Sequence, residues 1–150
     1  MPPHYRRKGQ IYYRKGGYKF LTPEAICEAH AEVLKKTGGT PGLRDRGLLE
    51  SAAYAPKESA GGQDAYPTFF TKVAALGYRL CKGHPFVDGN KRTALAAMLW
   101  TLKANGYRPK VEPQAATVVM VLVATGHLKL DGLRTALLLW CNLDPSREDL

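Results

Sequence analysis

The chain has 150 residues, a formal net charge of +9 and 45% hydrophobic residues. This length suits one domain with its own core, and the apolar content excludes disorder as the default. Its three cysteines, Cys27, Cys81 and Cys141, are widely spaced, which excludes a disulfide framework and favours reduced thiols in a cytoplasmic protein. The longest apolar run, residues 118–124, is too short to cross a bilayer, so no membrane partner is expected.

Much of the positive charge lies in the first twenty residues. That segment contains no acid and six basic residues, which are Arg6, Arg7, Lys8, Arg14, Lys15 and Lys19. Residues 1–9 are typical of a loose basic tail, and residues 11–20 place β-favouring side chains around a Gly-Gly turn, which predicts a hairpin. We therefore divide the chain into a tail and hairpin, 1–20, and a helical domain, 21–150. Basic residues among tyrosines can bind RNA, but specific nucleic-acid binding is not the favoured interpretation.

Six helices are predicted from apolar residues at helical spacing and from Pro, Gly and capping residues at their ends. The first begins at Thr22, where a capping hydroxyl, a proline and an acid follow one another. The predicted helices span residues 23–37, 45–55, 67–83, 90–104, 113–124 and 131–142. Residues 57–66 contain two glycines and few apolar side chains, which predicts a mobile loop. The expected fold is mainly α, a single compact helical bundle with an N-terminal β-hairpin.

The ten residues 84–93 combine an imidazole, a carboxylate, a glycine, an amide and two adjacent cations immediately before an apolar helix. The first turn of a helix offers unpaired N–H groups and the positive end of a dipole, and Gly89 lets a ligand approach the backbone. Asn90 is the predicted N-cap. Lys91 and Arg92 weaken a helix start unless an anion neutralises them. Together these features predict a phosphate site at Gly89, Asn90, Lys91 and Arg92.

Two side chains beside this helix start are candidates for chemistry. Asp88 is the predicted Mg²⁺ ligand, because Mg²⁺ is usually held by one or two carboxylates together with substrate phosphates. His84 is the candidate general base for an attacking hydroxyl. A zinc site at these two residues is disfavoured because the sequence offers no third ligand nearby. Each residue taken singly is more often an ordinary loop or helix-start residue, so the assignment depends on the whole set.

The segment His-Pro-Phe-Val-Asp-Gly-Asn-Lys-Arg-Thr at 84–93 resembles the signature of the Fic/Doc (Fido) superfamily. The version with Lys91 and Thr93 resembles its Doc, or death-on-curing, branch. Residues 38–52 and 105–107 resemble the flanking parts of Doc-type domains, so the resemblance covers most of the chain. The resemblance implies the Fido fold, which is a compact helical bundle.

The resemblance also implies an activity. Members of the superfamily transfer a phosphate-containing group from a nucleotide such as ATP to a hydroxyl of a protein substrate. By this resemblance, His84 is catalytic, Asp88 holds Mg²⁺, and residues 89–92 bind the nucleotide phosphates. Residues 57–64 correspond to a flap that covers the active site and aligns the target.

The residues that follow the motif bear on which group is transferred. Typical AMP-transferring Fic proteins carry Gly in the place of Lys91 and a second Arg in the place of Leu95. Both departures fit Doc-like proteins, which resemble kinases that bind the nucleotide reversed and transfer its γ-phosphate to the translation factor EF-Tu. Ala96 stands where Doc proteins carry an Asn.

The favoured hypothesis is therefore a Doc-like protein kinase that is the toxin of a toxin–antitoxin pair. Two alternatives stay open. One is an AMP- or NMP-transferase of the same fold that modifies a protein hydroxyl. The other is a non-catalytic Fido-fold module or a basic RNA-associated binding protein, whose cellular effect would not depend on His84.

Inhibition is expected to come from a separate protein. Many Fic proteins silence themselves with a helix whose Glu is followed by Gly or Asn, and no Glu of this chain is followed by either. A Doc-like toxin pairs with a Phd-like antitoxin whose disordered tail folds onto the toxin. The basic residues of segment 1–16 are a hypothetical contact for such a tail. The sequence leaves a homo-oligomer open.

Overall fold

The computed structural model describes residues 11–150, and the predicted basic tail at residues 1–9 lies outside the described residues. Six α-helices and two small hairpins follow one another along this part of the chain. They are β1 (Tyr12–Lys15), β2 (Tyr18–Leu21), α1 (Pro23–Thr37), α2 (Arg46–Tyr54), β3 (Ser59–Ala60), β4 (Gln63–Asp64), α3 (Phe69–Gly83), α4 (Asn90–Ala104), α5 (Pro113–Ala124) and α6 (Leu130–Trp140). The prediction of a mainly α bundle with an N-terminal hairpin is confirmed.

Side chains cap the first three helices. Thr22, Asp45 and Thr68 each accept a hydrogen bond from the backbone N–H three residues further on. This bond satisfies one of the N–H groups that a helix start leaves unpaired. Because Thr68 is the cap, α3 begins at Phe69 and not at Pro67, where the sequence predicted its start.

The helix α4 lies at the centre of the bundle, in contact with α1, α3 and α5. Its crossing with α3 is close: a Cβ added to Gly77 of α3 would overlap the side chain of Met98. In α4 only Lys91 and Lys103 are exposed. The helix is therefore enclosed on nearly all sides, as its apolar sequence predicted. Its buried residues are Asn90, Thr93, Ala94, Ala97, Met98, Thr101 and Leu102.

The N-terminal hairpin packs on the helices. Its strands pair antiparallel around the predicted Gly-Gly turn, and Phe20 is fully buried. The Tyr13 hydroxyl donates to the carbonyl of Ala53 at 2.6 Å. At the end of α4, the Asn105 side chain bonds both the N–H and the carbonyl of Lys19, each at 2.9 Å. The hairpin therefore shares one core with the helices.

The segment predicted as a mobile loop forms the second hairpin, β3 and β4, and ion pairs attach it to α3. Glu58 pairs with the guanidinium of Arg79. Asp64 pairs with Lys72 at 2.9 Å and with Lys15 at 3.0 Å. Hydrogen bonds from these two lysines hold the pKa of Asp64 below its usual value. The composition of the segment gave no sign of these contacts, because their partners lie elsewhere in the chain.

The last two helices complete the core. The observed α6 ends at Trp140, two residues earlier than predicted, and Leu139 is exposed whereas the other leucines of its turn face inward. Cys27, Cys81 and Cys141 are all free thiols. Within residues 11–150, no helix is long and apolar enough to cross a membrane.

Candidate active site at the start of α4

Backbone hydrogen bonds hold the loop 84–89, which joins α3 to α4, against the segment 42–45. The carbonyl of Pro85 accepts two consecutive N–H groups of that segment, at 2.7 and 3.0 Å. The N–H of Val87 donates to the carbonyl of Gly42 at 3.0 Å. These bonds hold the backbone of the loop in place at Pro85 and Val87.

His84 lies at the end of α3 in the left-handed conformation, with a φ of 53°. A non-glycine residue adopts this conformation rarely. The guanidinium of Arg44 donates to the carbonyls of His84 and Gly83, at 2.7 and 2.9 Å. The His84 ring is exposed, and its Nδ1 lies 3.5 Å from Nδ2 of Asn90. The imidazole thus faces solvent beside the start of α4, where a substrate hydroxyl can approach it.

The prediction that Asn90 is the N-cap of α4 is wrong. The cap is Gly89, which has a φ of 77°, and Asn90 is the first helical residue. The Asn90 side chain turns back instead, because its Oδ1 accepts the N–H of Phe86 and its Nδ2 donates to the carbonyl of Phe86, both at 2.9 Å. These two bonds satisfy the buried N–H and carbonyl of Phe86, and they keep Nδ2 near the ring of His84.

The first turn of α4 therefore keeps N–H groups that no side chain of the helix caps. The first intrahelical bond runs from the N–H of Thr93 to the carbonyl of Gly89, at 2.9 Å. The N–H groups of Asn90, Lys91 and Arg92 precede that bond, at the positive end of the helix dipole. Lys91 is exposed and adds a charge to this end. Such a surface attracts an anion.

Arg92 contributes differently from Lys91. Its guanidinium donates to the hydroxyl of Thr37 and to the carbonyl of Gly38, the latter at 3.2 Å. Nη2 of the same group lies 3.8 Å from Oδ1 of Asp88. Arg92 thus ties the end of α1 to the loop, and its charge stays beside the carboxylate.

The Asp88 carboxylate accepts one backbone N–H on each oxygen, from Thr40 at 3.0 Å and from Gly89 at 2.8 Å. These two bonds, and to a lesser extent the charge of Arg92, hold the pKa of Asp88 below its usual value. Its side chain is 45% exposed. Because a carboxylate oxygen has more than one lone pair, both oxygens can still accept a cation. The donor set fits the predicted Mg²⁺ ligand.

A cavity of about 280 Å³ opens beside the start of α4. Its walls come from the loop, from α4 and from α5. The lining residues are Asp88, Gly89, Asn90, Lys91, Arg92, Leu95, Thr117, Met120 and Val121. The predicted phosphate and metal residues thus share one space. His84 is not among the lining residues, and its Nδ1 lies 3.5 Å from Nδ2 of Asn90, which is one of them.

A second cavity, of about 290 Å³, lies on the other side of α4, against α1. It is lined by Glu28, Ala29, Glu32, Val33, Lys36, Ala96 and Trp100. None of the residues predicted to carry chemistry lies in this lining. The residues predicted to bind metal and phosphate, 88–92, therefore line the cavity between α4 and α5.

Residues outside the motif, which the sequence alone did not point to, also hold the loop. Thr40 and Arg44 bind it through hydrogen bonds, and Nε2 of His30 donates to the carbonyl of Asp88. Their separation from the loop is 40 residues or more. Contacts between residues so far apart in sequence cannot be predicted from local spacing. The sequence offered one signal, which was His30 among the apolar residues of α1.

The sequence that forms this site matches that of known proteins. A family model described as the Fic/DOC family matches residues 20–102, more than half of the chain. The chain belongs to the Fic/DOC family. The match includes the loop, the first turns of α4 and the segment 42–45 that binds the loop. It confirms the resemblance to the superfamily and, with six helices in the structure, the mainly α Fido fold.

Two relatives place the chain in the Doc branch of the Fic/DOC family. It is 40% identical over 102 residues to a protein named Toxin Doc from Mycolicibacterium smegmatis, a match that covers 67% of this chain and 78% of the relative. It is 29% identical over 119 residues to a protein named Protein kinase doc from Escherichia phage P1, which covers 79% of this chain and 93% of the relative.

Proposed function

We propose that this member of the Fic/DOC family is a toxin and a protein kinase that transfers the γ-phosphate of ATP to a Ser or Thr hydroxyl of a translation factor such as EF-Tu. The observation that carries this proposal is the cavity at the start of α4, where an ionised carboxylate, open N–H groups and a lysine face one space. The names of the two relatives, a toxin and a protein kinase, support the same assignment.

Asp88 is the residue that would hold Mg²⁺. Its carboxylate is ionised, partly exposed and fixed by two N–H groups, and it lies in the lining of the cavity. When bound, the ion neutralises charge on the phosphate oxygens. The N–H groups of the first turn of α4, together with Lys91, bind the phosphates themselves. The nucleotide is thus oriented mainly by backbone that the loop holds in place.

His84 is the general base of the proposed reaction. Its exposed imidazole takes the proton of the attacking hydroxyl, whose oxygen forms a bond to the γ-phosphorus. The bond from that phosphorus to the bridging oxygen breaks, and ADP leaves with the bridging oxygen. General-base assistance of this kind typically contributes about 10²–10⁴-fold to the rate.

Two residues of the cavity favour γ-phosphate transfer over nucleotide transfer. Lys91 and Leu95 both line it, at the positions where AMP-transferring members carry Gly and Arg. The Lys91 side chain takes up room beside the helix start, and Leu95 offers no charge to distal phosphates further along α4. Both features support a nucleotide that is bound with its terminal phosphate beside Gly89.

The test uses ATP labelled at either the α- or the γ-phosphate, purified EF-Tu, and the wild type beside His84→Ala, Asp88→Ala and the control His127→Ala. His127 is exposed, bonds Thr125 and lines neither cavity. We expect γ-label on EF-Tu with the wild type and the control only. Transfer of the α-label would establish the NMP-transferase instead. If no label is transferred, and if both site variants still arrest the growth of cells that express them, the protein is a non-catalytic module.

We also propose that the toxin acts in the cytoplasm, where translation factors are found, and that an antitoxin inhibits it. The absence of a Glu followed by Gly or Asn supports inhibition by a separate Phd-like protein. Co-expression of the neighbouring open reading frame with the toxin is expected to restore growth. Arrest that persists under co-expression of any such neighbour would remove the antitoxin from the proposal and leave the kinase test unaffected.

A further inference from the structure

The buried side chain of His30 connects α1 to the loop that precedes α4. The residue is 6% exposed, and its ring stacks on that of Phe86, with centroids 3.9 Å apart and planes at 6°. Phe86 is itself 2% exposed, so the stack fixes the plane of the imidazole. Nε2 of His30 lies 2.8 Å from the backbone oxygen of Asp88. A helix residue 58 positions earlier thus contacts the residue proposed to hold Mg²⁺.

This contact has a defined direction. A carbonyl oxygen can only accept, so Nε2 of His30 carries the hydrogen and donates it to Asp88. The ring is enclosed by Phe86 and α1, so water cannot readily replace the donor if the side chain is changed. A buried polar group left without its partner is destabilised.

The bond also sets the orientation of the peptide group between Asp88 and Gly89. The described chain contains no cis peptide bond, so the carbonyl and the N–H of this group point in opposite directions. With the carbonyl held by His30, the N–H of Gly89 donates to Oδ1 of Asp88 at 2.8 Å. A flipped peptide would instead place a carbonyl oxygen against the carboxylate.

The space around the cap of α4 is narrow on the side of His30. A Cβ added to Gly89 would lie 3.7 Å from Nε2 of His30 and 3.3 Å from Cδ2 of Leu34. Gly89 has a φ of 77°, a conformation that suits glycine. Two side chains of α1 therefore pack close to the cap, and neither of them lines the cavity.

We propose that His30 is a positioning residue, which holds the Asp88–Gly89 peptide in the orientation that directs the carboxylate and the first turn of α4 toward a Mg²⁺-bound phosphate. His30 is absent from the lining of the cavity, so it acts through Asp88. The Mg²⁺-bound phosphate rests on the proposed function, whereas the orientation of the Asp88–Gly89 peptide does not. The experiment therefore has one readout without ligand and one with it.

Two substitutions separate the stack from the hydrogen bond. His30→Phe keeps a flat ring on Phe86 and removes the donor. His30→Gln gives up the ring and keeps an amide donor near the position of Nε2. His127→Phe is the matched control, because it makes the same replacement at an exposed histidine outside both cavities.

The first readout is amide hydrogen exchange, measured by NMR without nucleotide. The N–H groups of Gly89 and Thr40 are the reporters, because both donate to the Asp88 carboxylate. We expect exchange about tenfold faster at both in His30→Phe, and near wild type in His30→Gln and in the control. The amides of α3 should exchange at wild-type rates in all four proteins, which shows that the core is intact.

The second readout is the Kd of ATP, measured by calorimetry with and without Mg²⁺. Loss of a residue that orients a metal ligand typically weakens metal affinity about 10–100-fold. We expect a weakening of this size in His30→Phe with Mg²⁺ present, recovery in His30→Gln, and the same weak binding in all proteins without Mg²⁺.

Three results would overturn the role of His30. They are unchanged exchange at Gly89 and Thr40 in His30→Phe, exchange that is accelerated equally through α3, and fast exchange at Gly89 in His30→Gln. A wild type that binds no ATP with Mg²⁺ would refute the proposed function. The exchange data would still decide whether His30 holds the peptide.

Discussion

The helices α1 and α4, which pack against each other, begin in opposite ways. At α1, the Thr22 side chain caps the helix, Pro23 occupies the first position and Glu24 brings an acid to the first turn. Each of these choices favours a helix start. At α4, the cap is a left-handed glycine without a side-chain bond, and Lys91 and Arg92 bring two cations to the positive end of the dipole.

This difference indicates what each helix start is for. A cation in the first turn is destabilising by roughly 0.3–1 kcal/mol, so the sequence of α4 weakens the helix that lies at the centre of the bundle. Its asparagine, which would be a good cap, bonds Phe86 instead. Natural sequences depart from local rules mainly at functional sites. The start of α1 serves stability, whereas the start of α4 is open to an anion.

The largest effect expected is on catalysis. We predict that His84→Ala lowers the rate of γ-phosphate transfer by about 10²–10⁴-fold, because the proposed general base is lost. The side chain is exposed, so the thermal unfolding midpoint should stay close to that of the wild type. Lys103→Ala, at the exposed far end of α4, is the control and should keep full activity. A His84→Ala protein as active as this control would contradict the assignment.

Asn90 and Thr22 compare the two helix starts directly. Asn90→Ala removes both bonds to the buried backbone of Phe86, and we expect a loss of about 1–3 kcal/mol in the free energy of unfolding. Thr22→Ala removes an ordinary cap and should lower it by about 1 kcal/mol. Urea denaturation measures both. Only Asn90→Ala should also reduce transfer per folded molecule, and an equal reduction in Thr22→Ala would erase the distinction.

Lys91 and Glu24 allow the charge at each helix start to be reversed by a single substitution. Lys91→Glu should raise the free energy of unfolding by roughly 0.3–1 kcal/mol, since an acid suits a helix start, while it weakens ATP binding. Glu24→Lys should lower stability and leave ATP binding unchanged. Calorimetry and urea denaturation give the two quantities. If Lys91→Glu binds ATP as the wild type does, the cation has no part in holding the phosphates.

The smallest effect concerns pH. Because hydrogen bonds from Thr40 and Gly89 hold the pKa of Asp88 below 3.8, its ionised form stabilises the fold above that pH. This contribution disappears as the pH falls through the lowered pKa. As the pH falls below 3.8 and through the lowered pKa, the wild type should therefore lose more stability than Asp88→Asn. Parallel curves for the two proteins in urea denaturation would show that the carboxylate does not stabilise the loop.

Local signals predicted the elements of the fold well. The start of α1 at Pro23 and both ends of α4 follow from prolines, glycines and apolar spacing. The start of α3 was misplaced because Thr68, next to Pro67, is the actual cap. Residues 57–66 looked like an irregular loop, since the ion pairs that order them involve lysines and an arginine from other elements.

The site was predicted in part for the same reason. Residues 84–93 are contiguous, so their shared chemistry is visible in the sequence. The capping role predicted for Asn90 was wrong, because its side chain bonds the backbone of Phe86 in the folded loop instead. His30 and Arg44 lie far from the motif in sequence, and only the folding of α1 and the segment 42–45 onto the loop brings them close.

The central claim is that nucleotide phosphates bind at the first turn of α4. The most direct measurement is an NMR titration of the ¹⁵N-labelled protein with ATP and Mg²⁺. We predict large, saturable shifts of the amides of residues 89–92 and no comparable change in the first turn of α1. Shifts that spare residues 89–92, or that affect the two helix starts equally, would contradict the account.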